Sequence, residues 1–269
     1  MDSYYPSQRD RRFCDLPIDI ATIMNTGDVD ALCAALETQP RHVAETALFR
    51  AAQFNQAFFI EPLVTRCSAD VNAVDPRTNC TVLHVAAENR SVETVQALLV
   101  AGAAYDTKNK AGHSALMCAV QQLVWQNLPG RATATIKAIL DKAGYVHSRG
   151  VWNEETPLSF AADHGDMAVV KMLLDAGAPV NAPAKVQVYK QYPDAAPIGF
   201  WSPLHSAARK GDADMLSVLL AAGANPNGRD GKGRTPLHYA VKHENTCYSL
   251  LLTAGADKGA YDSDYKFPR

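Results

Sequence analysis

The chain has 269 residues, 47% of them hydrophobic, and a formal net charge of −2. That is enough apolar residue for a substantial core, which excludes wholesale disorder. The near-neutral charge offers no electrostatic footprint for nucleic acid or an anionic membrane surface.

No run of 18 apolar residues is present, so no membrane span is expected. Residues 1–15 read as a polar tail, in which Arg9, Arg11 and Arg12 are interrupted by Asp10. The first twelve residues lack the apolar stretch of a secretory signal. The six cysteines, Cys14, Cys33, Cys67, Cys80, Cys118 and Cys247, include no CxxC pair. They read as reduced thiols in a reducing compartment, so an intracellular protein, cytoplasmic or nuclear, is expected.

From residue 16 onward the chain repeats itself. Gly27-Asp28-Val29-Asp30-Ala31-Leu32 echoes Gly211-Asp212-Ala213-Asp214-Met215-Leu216, which marks 16–45 as an atypical first unit. Thr46-Ala47-Leu48-Phe49 opens a second unit, 46–80. Later openings are Thr81-Val82-Leu83-His84, Ser114-Ala115-Leu116-Met117, Thr156-Pro157-Leu158-Ser159, Ser202-Pro203-Leu204-His205 and Thr235-Pro236-Leu237-His238. These five start 33, 42, 46 and 33 residues apart. The implied units are 81–113, 114–155, 156–201, 202–234 and 235–262, with a tail at 263–269.

Each letter of the pattern has a physical task. Thr or Ser caps a helix and Pro is tolerated at its first position. Alanine pairs such as Ala207-Ala208 let a second helix approach closely. Gly211-Asp212 ends one helix and caps the next, while Leu219-Leu220 lie on the buried face before Gly223 stops it. Each unit is helix–turn–helix plus a reversing loop, and it must stack on neighbours to bury its apolar face.

These residues resemble the ankyrin repeat family. Asp230-Gly231-Lys232-Gly233 before Thr235-Pro236-Leu237-His238-Tyr239-Ala240, and Leu219-Leu220-Ala221-Ala222-Gly223-Ala224, stand close to its consensus over roughly 16–262. The resemblance implies an all-α solenoid with hairpin-like fingers, and first helices lining a groove. It also implies that His84, His205 and His238 hydrogen-bond between loops rather than bind metal. Helices pack about 8–10 Å apart, too far for such histidines to share a zinc with bonds of about 2 Å. His113 and His147 have no partner at ligand spacing. No metal or cofactor is expected.

Two departures from the repeat stand out. Between Ser114 and Thr156 the extra residues, around Gln121–Gly130, lengthen the first helix or the loop after it. Between Asn181 and Ser202 there are 21 residues where the later unit, from Asn227 to Thr235, has 8. That finger alternates at Val186, Val188 and Lys190 as a short β-ribbon would, and carries Tyr189, Tyr192, Phe200 and Trp201. Its neighbour carries Trp152. Such aromatics either pin the long loop or anchor a partner.

The groove row reads Val85/Glu88/Asn89, Cys118/Gln121/Gln122, Phe160/Asp163/His164, Ser206/Arg209/Lys210 and Tyr239/Lys242/His243. A binding surface formed by Trp152, Phe160, His164, Tyr189, Tyr192, Phe200, Trp201, Arg209, Lys210 and Tyr239 suits a peptide or protein with apolar and acidic groups. A monomeric, non-catalytic interaction scaffold is therefore expected. The alternative is an enzyme or small-molecule binder under finger 186–201. His164, Asp163, Glu154 and Glu155 would then be its acid–base groups.

Overall fold

A computed structural model describes residues 16–125, 129–144, 155–182, 184–185, 200–241, 246–264 and 266–268, with side chains omitted at 124–125, 129, 184–185 and 200. The expected tail at 1–15, the ribbon at 186–190, His147, Trp152, Glu154, Tyr189, Tyr192, Lys242 and His243 lie outside the described residues.

Among the described residues, seven helix pairs follow in chain order: α1 (Ile18–Thr26) with α2 (Val29–Leu36), α3 (Arg41–Gln53) with α4 (Ile60–Thr65), and α5 (Val82–Glu88) with α6 (Val92–Val100). Then come α7 (Ala115–Trp125) with α8 (Pro129–Ala143), α9 (Pro157–His164) with α10 (Met167–Asp175), α11 (Pro203–Lys210) with α12 (Ala213–Ala221), and α13 (Pro236–Ala240) with α14 (Thr246–Thr253). From α3 to α13 the first helices pack in succession, and α4, α6, α8 and α10 form a parallel second row. The fold is the expected all-α repeat solenoid.

Local signals act as the sequence suggests. Asp28, Asp166 and Asp212 accept the N–H of Ala31, Val169 and Met215 at 2.9–3.0 Å, capping the second helices. Gly102, Gly177, Gly223 and Gly255 adopt φ of 85–89°, where only glycine is unstrained. Each is followed by a closing bond back into its helix, such as Ala224 N–H to Leu219 O at 3.0 Å. Ala86, Ala87, Ala161, Ala207 and Ala208 are fully buried at the helix seams, as are Leu98, Leu173 and Leu219.

The tetrad histidines bolt neighbouring units together. In His84, Nδ1 accepts the Thr81 N–H at 3.1 Å and Nε2 donates to His113 O, in the next finger, at 3.0 Å. His205 repeats this with Ser202 and Arg234 O, and His238 with Thr235 and Lys266 O. The last of these brings Lys266, expected within the tail at 263–269, against the final unit, and the Asp262 N–H donates to Lys266 O at 2.9 Å.

Two expectations are refined. The helix of the second unit begins at Arg41, not at Thr46, whose hydroxyl instead donates to His42 O at 2.7 Å. Val43 and Ala44 are buried and Arg41 pairs with Glu45 at 3.1 Å, so the helix gains by running through the threonine. The extra length after Ser114 goes into the helices: α7 has 11 residues and α8 has 15. The long finger is closed at its base by an antiparallel pair, β1 (Ala184–Lys185) with β2 (Phe200–Trp201), in register Ala184↔Trp201.

Candidate interaction surface

The site grows from the ends of the first helices. Positions directly after the tetrad are buried in four successive units: Val85, Cys118, Phe160 and Ser206 are 6%, 4%, 7% and 0% exposed. The residues three and four later, Glu88/Asn89, Gln121/Gln122, Asp163/His164 and Arg209/Lys210, are partly or fully exposed. The helical repeat alone dictates this split, because a one-turn step brings the side chain to the rim of the stack.

Trp201 is the hub at the base of the long finger. It is 9% exposed. Its indole N–H donates to the Ser206 hydroxyl at 2.6 Å, and Tyr239 meets its ring edge-on at 5.0 Å. The His205 ring lies 5.4 Å away. The Arg209 guanidinium covers the indole at 5.4 Å and donates to Asp163 Oδ1 at 2.8 Å. Lys210 Nζ donates to the Asp163 carbonyl oxygen. Desolvation holds the Lys210 ammonium below its usual pKa, although the Asp163 charge opposes this.

Tyr239 is equally committed. Its hydroxyl donates to Asp230 Oδ2 at 2.5 Å, and Arg234 shares that oxygen at 3.0 Å while lying over the Tyr239 ring. Burial, followed by the bond to Asp230, pushes the phenol far above its ordinary pKa. The phenol is therefore a fixed donor.

The structure brings together six predicted residues: Phe160, His164, Trp201, Arg209, Lys210 and Tyr239. Phe160 and Trp201, expected in the binding surface with pinning of the long loop as the alternative for Trp201, are buried and support more exposed neighbours. Phe160 stacks beneath His164 at 4.2 Å, and Trp201 beneath Arg209. The side chain of Phe200 lies outside the described residues, and only its strand position is given. The support roles of Asp230, Arg234 and Ser206 are additions to the sequence-based set. Their signals were the Asp-Gly-Lys-Gly-Arg finger and the serine after His205.

The acid–base alternative fares differently. His164 Nδ1–H donates to its own helix at Phe160 O, 2.8 Å away, and Asp163 Oδ1 is taken by Arg209. Glu155 is 6% exposed. The neighbours Asp163 and His164 thus turn to separate partners instead of forming a carboxylate–imidazole dyad. Among the described residues, no three His, Cys, Asp or Glu side chains converge on a common metal position. No helix among them is long and apolar enough to cross a membrane.

Comparison with known proteins finds two matching family profiles. "Ankyrin repeats (3 copies)" matches residues 48–128 and 183–262, and "Ankyrin repeat" matches 153–185. The chain is 25% identical to Ankyrin repeat protein nuc-2 of Neurospora crassa, over 88% of this chain and 24% of that protein. It is 30% identical to SH3 and multiple ankyrin repeat domains protein 2 of Homo sapiens, over 70% of this chain and 9% of that protein. The chain thus spans a quarter or less of these relatives. Among solved structures, the ankyrin repeat domain of Bcl-3 superposes with a TM-score of 0.66 at 22% identity, covering 82% of this chain and 91% of that one. The human ASB11 ankyrin repeat domain gives 0.59 at 22% identity, covering 82% and 89%.

Proposed function

The chain belongs to the ankyrin repeat family, and from that premise we propose that its groove rim and long finger form a docking site for an acidic, partly apolar peptide or protein surface. Ankyrin repeats mediate protein–protein interaction, and the family is typically a non-enzymatic scaffold. The reading is supported by one observation: the Arg209 guanidinium and the Lys210 ammonium stand together at a rim braced by Trp201, both bonded to Asp163, with Asp212 also near Lys210. His164 stands beside them over Phe160.

A carboxylate approaching this rim gains charge-assisted hydrogen bonds while the supporting rings stay in place, so little side-chain entropy is lost. The aromatics expected on the fingers, Trp152, Tyr189, Tyr192 and Phe200, would supply apolar contact beside the charged rim. The ring of charges would set orientation and encounter rate more than affinity.

Selection of peptides from a random display library tests this reading. Enriched sequences are expected to combine Asp or Glu with an aromatic or aliphatic residue. Lys210→Glu with His164→Ala is expected to weaken their binding at least about tenfold, the scale of one lost charge-assisted contact, with helical circular dichroism unchanged. Enriched peptides without acidic residues, or binding indifferent to the double change, would sink the assignment.

A further inference from the structure

Away from the groove, the sulfur atoms of Cys33 and Cys67 lie 3.3 Å apart. Cys33 sits on α2 and is buried, whereas Cys67 follows the end of α4 and is half-buried. The two residues are 34 positions apart, so their contact crosses from the first helix pair to the second. A disulfide has sulfurs about 2.05 Å apart, so closure needs an approach of only about 1.3 Å. Cys80 and Cys118 are placed otherwise, with the Asn109 amide reaching both at 3.6 and 4.0 Å.

A cation stands beside the pair. Arg66 immediately precedes Cys67, is held by Asp30 at 2.8 Å, and feels the charge of both sulfurs. Cys67 is part-exposed, which gives a small reagent its entry, whereas Cys33 is only 5% exposed.

We propose that Cys33 and Cys67 are an oxidisable pair that takes an intrachain disulfide by exchange with a low-molecular-weight disulfide such as oxidised glutathione. Deprotonated Cys67 attacks one sulfur of that disulfide. A mixed disulfide forms on Cys67 and one glutathione leaves as thiolate, taking up the proton that Cys67 lost. Cys33 then loses its proton and attacks the Cys67 sulfur. The Cys33–Cys67 bond forms, the mixed bond breaks, and the second glutathione leaves with the second proton. Two protein thiols are oxidised and one disulfide is reduced to two thiols.

Burial, with the Cys33 contact next, pushes the Cys67 thiol up to about 12. Proximity rather than acidity therefore drives the pair: the first attack is slow and the second is fast. The pair responds to a sustained oxidising poise instead of a brief pulse. Once formed, the bond staples α2 to the end of α4 and restrains the unfolded chain.

The test is to equilibrate the full chain in glutathione buffers of rising oxidised fraction, trap by acid and alkylation, and map peptides by mass spectrometry. A Cys33–Cys67 disulfide as the dominant product, with a raised and reductant-reversible Tm, is the expected result. Cys33→Ser should instead retain glutathione on Cys67. Accumulation of a stable glutathione adduct on Cys67 in the unsubstituted chain would overturn the proposal. So would both thiols staying free at a fully oxidising poise, or Cys67 pairing with another cysteine. The peptide map of the unsubstituted chain decides between these outcomes even where Cys33→Ser fails to fold.

Discussion

A buried histidine ring is one of the bolts between neighbouring units. In His205, Nδ1 accepts from the Ser202 N–H at 3.2 Å, which fixes the proton on Nε2, where it reaches Arg234 O at 3.2 Å. The ring is fully buried, so removing it strands two backbone groups and leaves a void. His205→Ala should cost about 3 kcal/mol, the sum of a cavity and an unsatisfied buried polar group. His238 makes the same pair of bonds but is only half-buried, with its acceptor Lys266 O near solvent. Water can replace its partners, and His238→Ala should cost about 1 kcal/mol. Urea denaturation of the two variants checks the order. Equal losses would show that the bond rather than its burial sets the cost.

Between elements, the joints are uneven. The tetrads of α7 and α9 have Met117 and Ser159 where those of α5, α11 and α13 have histidine. Ser159 Oγ–H stays local, donating to Thr156 O at 2.9 Å, so neither unit sends a ring to the next finger. These two units carry the two insertions, and α10 approaches α12 less closely than α6 approaches α8. Amides of α9 and α10 should therefore exchange with deuterium faster than those of α5 and α6. Uniform protection across both pairs would contradict this. Local signals were legible in the sequence: the cap at Asp212 and the left-handed glycines each act within a few residues, and the tetrad histidines stood out because they recur with the repeat. The Arg41 helix start was not, because buried Val43 and Ala44 outweigh a threonine that can cap. Nor was the burial of Phe160 and Trp201, which neighbouring units decide. Arg209 meets Asp163 across 46 residues, a pairing that no local pattern encodes.

At the scale of the whole stack, these buried rings couple folding to pH. Burial lowers the pKa of His84, and it lowers those of His113 and His205 to about 4, against an ordinary value near 6.5. Glu88 beside His84 favours its charged form, as does Asp230 beside His205, while Arg234 opposes it; in each case burial prevails. A folded-state value below the unfolded one means that the unfolded chain takes up protons first as pH falls. The stabilisation from neutral rings is thus complete above about pH 6.5 and is lost on the way down to about pH 4. His113 and His205 should each contribute a slope of about 1.4 kcal/mol per pH unit within that window, and His84 a loss of the same sign. Because every unit leans on its neighbours, the loss spreads along the solenoid instead of melting one loop. Unfolding free energies measured in urea at intervals from pH 7 to 4.5 should fall steadily, more gently in His113→Asn, which removes one titrating group. A flat profile above pH 4.5 would mean that the rings become protonated without breaking their bonds to the next finger, and that the histidine joints tolerate charge.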